Sequence, residues 1–282
     1  MRKSVTLITG ASGEIGHALI ESLASDSNAI VTVDLKPLAP ELARLVEREY
    51  TASILDRGVL EQIVAEYEVD TVFHLAALLS TRGEFTPETA HQVNVEGTLN
   101  LLHFAQAQGE SHARPVVFLY PSSIAAYGLP DLETKTRVGA VREHEWNVPT
   151  TMYGCNKLYC EHLGRYYNFH YKQLAAEKLS GKVDFRAIRF PGLISAVTMP
   201  SGGTSDFAPE MIHAAASGES YRCFVRPDAR IPFMVMTDAV EALLRLARAE
   251  RRDLRQSVYN ITALNPSAGE IRELVREGFP GA

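Results

Sequence analysis

Two residues in "TTMYGCNKLYCEH" have the types and spacing for proton chemistry: Tyr153 and Lys157, four places apart in a stretch that reads as helix. Positions i and i+4 share a helical face, so a phenol and an ammonium project side by side. A free tyrosine ionises near pH ~10. Serving as a base near neutral pH requires a fall of about 3 units, or ~4 kcal/mol. An ammonium within ~4–6 Å supplies about one to three units of that. A hydroxyl that holds the reacting oxygen completes such a site, and "YPSSIAAYG" offers Ser122 and Ser123 at the end of an apolar run. A serine there donates to a substrate oxygen while the phenolate removes its proton. By itself YxxxK is common on solvated helix faces, so companion motifs decide.

The first companion is "TLITGASGEIG", which places Gly10, Gly13 and Gly16 in a GxxGxxG spacing between an apolar run and a helical pattern. Glycines there permit positive φ and let a pyrophosphate approach backbone N–H groups at a helix N-terminus. Ser12, Glu14 and Ile15 lie in the same turn and are expected beside the dinucleotide. The second apolar run ends at Asp34, followed by Leu35, at the distance from the glycines where a carboxylate accepts the adenosine ribose hydroxyls. That acid repels a 2′-phosphate. The nearest following cation is Lys36 and no arginine comes directly after the acid, so NAD is expected over NADP. Ser53 and Ile54 are expected to flank the adenine, and Leu75, Ala76 and Ala77 in "HLAA" to let the dinucleotide cross the sheet edge. Asn94 reads equally as a cofactor contact or as a polar group holding neighbouring helices. His74 reads as a core histidine.

The elements that position these residues alternate. "SVTLIT", "AIVTVD", "DTVFHL" and "PVVFLYP" are short valine-rich runs, as expected for parallel strands buried on both faces. Helical patterns lie between them at Glu14–Ala24, Pro40–Glu49, Gly58–Tyr67 and Thr86–Gln108. This alternation implies right-handed βαβ units, an α/β fold with a Rossmann-like doubly wound parallel sheet. Residues 128–149 are polar with glycines and prolines and read as a flap. A long helix is expected from Thr151 to about Leu179, then a strand at "VDFRAIRFPG" and a loop over 195–205. The helices Met211–Ala216 and Asp238–Ala249, with a short strand near Tyr221–Val225, complete a small mixed C-terminal lobe. Residues 1–170 are thus mainly the NAD-binding domain. Residues 171–282 supply a returning strand and a substrate lobe, interleaved without a clean linker.

The 282 residues, 46% of them apolar, suffice for one large core, and a net charge of −6 argues against nucleic acid or anionic membranes as partners. Cys155, Cys160 and Cys223 have no metal-ligand spacing and read as reduced thiols. The start "MRKSVTLITG" has too short an apolar run for a signal sequence, and no stretch approaches the ~20 apolar residues of a membrane span. A cytoplasmic protein acting on a small molecule, with no metal, is expected.

Taken together, the glycine loop, the strand-end serine and YxxxK resemble the extended short-chain dehydrogenase/reductase family, the NAD-dependent epimerases and dehydratases, over nearly the whole chain. The resemblance implies that Tyr153 is the base, that Lys157 binds the nicotinamide ribose and lowers the tyrosine, and that Ser123 polarises the hydroxyl. Ser123 is preferred to Ser122 because the family's serine precedes an aromatic residue by four, here Tyr127. The strings "LAALLS", "PSSIAAYG", "DFRAIRFPGLIS", "PSGGTSDFAPEMI" and "ARIPFMVMTDA" are similar to one branch, the short-chain-type L-threonine 3-dehydrogenases. That likeness implies oxidation of the C3 hydroxyl of L-threonine to 2-amino-3-oxobutanoate. It implies that Ser80, Ser122, Ser123, Tyr153, Gly192 and Thr204 line the substrate site, that Ile194 packs near the nicotinamide, and that the protein is a homodimer. The rival reading is an NDP-sugar 4-epimerase or dehydratase, whose diphosphate would need cations such as Arg226 and Arg230. A third is an NAD sensor without turnover, disfavoured because serine, tyrosine and lysine are all present.

Overall fold

The computed structural model describes residues 2–26, 29–176, 180–200 and 202–280. In chain order the elements are β1 (Lys3–Thr9), α1 (Glu14–Ser25), β2 (Ile30–Asp34), α2 (Pro40–Ala43), β3 (Arg48–Thr51), α3 (Arg57–Glu66) and β4 (Tyr67–His74). Then follow α4 (Ser80–Phe85), α5 (Pro87–His91), α6 (Gly97–His112), β5 (Val116–Ser123), α7 (Leu132–Val138) and α8 (Met152–Arg165). The last third holds β6 (Val183–Phe190), β7 (Gly192–Ile194), α9 (Phe207–Ala216), β8 (Phe233–Val235), α10 (Met236–Arg248), β9 (Val258–Asn260) and α11 (Ala268–Gly278).

Seven strands form one parallel sheet in the order β3-β2-β1-β4-β5-β6-β9. The winding reverses between β1 and β4, which opens a crevice at their carboxyl ends. Alternate side chains go to opposite faces. Val5, Leu7, Val31, Val33, Phe118 and Tyr120 pack with α3, α6 and α8, whereas Ile8, Ile30, Phe73 and Leu119 pack with α1 and α10. Every residue of β6 is buried, as a central strand covered on both faces requires. The short β7–β8 pair carries a smaller apolar cluster, in which Phe207, Met211, Phe233, Ile271 and Val275 join α9 to α11.

Several boundaries differ from the sequence reading. The helix expected over Pro40–Glu49 stops at Ala43, and Arg48–Thr51 pairs with β2 as an edge strand. The Thr86–Gln108 helix is broken by a π-helical turn at Gln92–Glu96 and runs on to His112. The tyrosine helix ends at Arg165 in another π turn, Tyr166–His170, and its expected end at Leu179 lies outside the described residues. No strand forms at Tyr221–Val225, where the chain instead lays Tyr221, Cys223 and Val225 onto the small cluster. The flap at 128–149 contains a helix, α7, started by Asp131, whose carboxylate accepts the Thr134 N–H at 2.7 Å.

Candidate active site

Each motif comes to the carboxyl edge of the sheet. Gly10 follows β1 with φ +70°, and a Cβ there would lie 2.5 Å from the Ala76 backbone nitrogen, so only glycine lets the turn pass beside Leu75 and Ala76. A Cβ on Gly16 would meet the Ala11 carbonyl at 2.4 Å. Gly13 is the N-cap of α1 and offers no side-chain cap, with Ser12, Glu14 and Ile15 in the same turn. A helix N-terminus of this kind, hinged on glycines, suits a pyrophosphate. Asp34 stands beside it. Its Oδ2 accepts the Ser12 N–H at 2.9 Å and its Oδ1 the Lys36 N–H at 3.0 Å, which fixes the carboxylate at the rim with lone pairs left for two ribose hydroxyls. These residues fit an adenine dinucleotide. Leu35 is exposed, and the Ser53 hydroxyl accepts the Leu55 N–H. Ile54 differs from expectation: its side chain is buried against Gly97 of α6, so only its backbone can reach a cofactor.

Across the crevice, α8 begins at Thr151, whose hydroxyl accepts the Gly154 N–H at 3.0 Å. A Cβ on Gly154 would lie 2.1 Å from the Ala125 carbonyl, so the missing side chain lets the helix seat directly on the end of β5. Tyr153 and Lys157 are 9% and 4% exposed. The Lys157 ammonium donates to the Pro121 carbonyl at 2.7 Å and sits 4.6 Å from the Tyr120 ring centre and 5.4 Å from that of Tyr153. Burial holds this lysine down at about 8. Burial also raises the Tyr153 phenol, and a hydrogen bond from Ser123 is what acts against it. The lysine is itself desolvated and turned to Pro121, and a nicotinamide cation bound beside the phenol would add to its fall.

The serine pair divides. Ser123 is half-buried, faces Tyr153 and accepts the Ala125 N–H at 3.1 Å. Ser122, expected at the substrate, points the other way because consecutive strand residues face opposite sides. It is 2% exposed and its hydroxyl donates to Glu161. Asn94 takes the structural option: its side chain bonds both backbone groups of Leu78, at 2.7 and 3.0 Å, and the Asn156 amide at 3.2 Å. It thereby fixes the chain between Ala77 and Ser80 without facing the crevice. His74 is a core residue whose ring is held at about 3 by burial, hence neutral. Thr98 donates its hydroxyl proton to the Asn94 carbonyl, so it accepts from His74 Nε2, and Nδ1 accepts from Thr9 at 2.8 Å. This chain of bonds ties β1, β4 and α6 together beneath the cofactor cradle.

The opposite wall is made of thinner parts. Ser80 starts α4 and is 9% exposed, while Glu84 of the same helix accepts the Met152 N–H at 2.6 Å and so ties α4 to the start of α8. Gly192 lies where a Cβ would meet Phe233 at 2.6 Å, and Ile194 ends β7 half-buried. Thr204 is exposed in a loop whose Gly202 and Gly203 N–H groups are capped by Asp206. Thr198 reaches from the neighbouring loop to Glu14 at 3.4 Å, bridging the lobe to the glycine turn. Arg226 is paired with Asp228 and Arg230 with Glu270, so both candidate diphosphate cations are engaged within the chain. Sequence reasoning missed Glu84, Glu161 and Arg189. Only Glu161 carried a readable signal, its place four residues after Lys157.

Residues 6–262 match the NAD dependent epimerase/dehydratase family. The mitochondrial L-threonine 3-dehydrogenase of Bos taurus is 32% identical over 277 residues, spanning 97% of this chain and 68% of that protein. An uncharacterized epimerase/dehydratase of Staphylococcus aureus (strain USA300) is likewise 32% identical, over 97% of this chain and 80% of its own. Among solved structures, the holo form of a GalE-like L-threonine dehydrogenase from Cupriavidus necator superposes with a TM-score of 0.84 at 33% identity, covering 98% of this chain and 84% of that one. The glycine cradle, the rim aspartate and the buried tyrosine and lysine thus occur in a chain whose whole sheet follows these enzymes, and it belongs to the NAD dependent epimerase/dehydratase family as an NAD-dependent oxidoreductase.

Proposed function

We propose that this enzyme oxidises the C3 hydroxyl of L-threonine to 2-amino-3-oxobutanoate. The observation that carries the reading is the convergence of Tyr153, Ser123 and the Lys157 ammonium at the end of β5. The Gly10–Gly16 turn and Asp34 would hold NAD, which when bound would supply the acceptor for the C3 hydride. Ser123 donates to the C3 oxygen, and Tyr153 as phenolate accepts its proton. Lys157 holds the ribose and keeps positive charge behind the phenol. Ser80, Thr204 and the backbone at Gly192 orient the amino acid, and Ile194 packs by the nicotinamide.

Residues 1–170 act mainly as the cofactor half, and 171–282 return a strand and build the substrate lobe. We further read the protein as a cytoplasmic homodimer. Tyr159 and Phe169, each 52% exposed on α8 and the turn after it, are apolar surface for a second copy, and the three cysteines are free. Among the described residues no helix is long and apolar enough to cross a membrane.

The test is formation of NADH with L-threonine, run beside conversion of UDP-glucose and UDP-galactose. Turnover of L-threonine alone is expected. Conversion of a nucleotide sugar without oxidation of L-threonine would replace this reading with the epimerase one.

A further inference from the structure

Tyr153 and Lys157 do not end their face of α8. One further turn along stands Glu161, 3% exposed, so three polar groups spaced four apart are buried in a row. Glu161 Oε1 accepts from the Ser122 hydroxyl and from Arg189 Nε at 2.9 Å, and its Oε2 accepts from Arg189 Nη2 at 2.6 Å. Ser122 and Arg189 are Cα partners in the β5–β6 register, so the carboxylate clasps both strands at one rung. Arg189 continues outward. Its Nη1 donates to the Glu143 carbonyl at 3.1 Å, and its guanidinium lies 4.5 Å over the Tyr127 ring.

The row of groups therefore grips β5 at consecutive residues. Lys157 takes the Pro121 carbonyl, Glu161 takes the Ser122 hydroxyl, and the next residue is Ser123. We infer that Glu161 is a positioning residue for the reaction: it fixes the strand end that presents Ser123 to Tyr153, and it supplies the negative charge that lets the Lys157 ammonium stay buried beside the phenol. Lys157 has Pro121 as its hydrogen-bond acceptor, a neutral group, and an ammonium taken from water needs an anion near it. The titratable groups around it are Tyr153, Cys160 and Glu161 on α8, Tyr120 on β5, neutral His74 on β4 and, behind Glu161, Arg189 on β6. Burial lowers the lysine, and Cys160 and Glu161 act in the opposite sense. The buried thiol of Cys160 is itself raised, chiefly by burial, so it is neutral near pH 7 and Glu161 is the standing anion.

Carbon-13 NMR of lysine-labelled protein reads this directly and does not depend on which substrate is turned over; only the rate measurement below rests on the proposed function. The Lys157 resonance is assigned by its loss in Lys157→Arg. In the wild type it is expected to titrate near 8. In Glu161→Gln, which keeps the shape and removes the charge, the midpoint falls by at least about one pH unit, whereas in Glu161→Asp it stays at the wild-type value. Should Glu161→Gln not fold, the double variant Glu161→Gln/Arg189→Gln removes the whole ion pair and leaves Lys157 without its anion, so its midpoint also falls. An unmoved midpoint in the folded charge-removing variant overturns the counter-charge role. Ser122→Ala cuts only the hook on β5. It is expected to lower kcat on L-threonine about tenfold with the lysine midpoint unchanged, and a full wild-type rate overturns the positioning of Ser123.

Discussion

The two walls of the site are built by opposite means. On one side β5, α8 and β6 meet through buried polar groups with fixed partners, Lys157 on Pro121 and Glu161 on Ser122 and Arg189. On the other, residues 195–200 and 202–206 form loops with exposed side chains, Val197 at 82% and Met199 at 66%, held by caps such as Asp206 on Gly202 and Gly203. The first wall has one arrangement available, because leaving any of its charged groups unpaired in the interior is severely unfavourable. The second tolerates change at little expense to the fold. On the proposed function, chemistry would belong to the rigid wall and substrate choice to the loose one.

Four measurements break or sharpen that contrast. Tyr153→Phe, on the rigid wall, is expected to lower kcat by about 10²–10⁴-fold while leaving the NAD dissociation constant near wild type; a variant that keeps most of the rate removes the phenol from the mechanism. Arg189→Met strands the Glu161 carboxylate, and urea unfolding should show a loss of ~3–5 kcal/mol. If the loss is under about 1 kcal/mol, the wall is not held as described. His74 gives a pH signature. Its folded value of about 3 lies below the ordinary 6.5, so its contribution to stability is present above 6.5 and is lost as pH falls toward 3. The urea midpoint should drop across that range, and less steeply in His74→Asn; identical slopes would remove His74 as the cause. The smallest effect is expected on the loose wall. Thr204→Val should change stability by less than about 0.5 kcal/mol and raise the KM for L-threonine a few-fold, and an unchanged KM would take Thr204 out of the site.

The same contrast explains what could be read from the residues alone. The glycine turn, Asp34 and the Tyr153–Lys157 pair were legible because each depends on a short, local spacing, and the structure brings all of them to one sheet edge. Long-range pairing was not legible. Ser122 looked as suitable as Ser123 until its rung opposite Arg189 and its bond to Glu161 assigned it to the interior. Asn94 faced two ways on paper, and a contact with Leu78, far along the chain, decided it. Ile54 was misjudged because its neighbour is Gly97, a glycine that makes room for it. The burial of the pair was not legible either: helical spacing placed an ammonium near the phenol but carried no information on how far both groups are removed from water.

Gly154 carries no functional group, yet the Ala125 carbonyl fills the space its side chain would take. Even a methyl there would lever the helix off the strand and part the phenol from its serine. A saturation screen for lost turnover should consequently flag position 154 as strongly as 153 and 157, and a search for inactivating alleles would meet an apparently inert residue at the centre of the catalytic cluster.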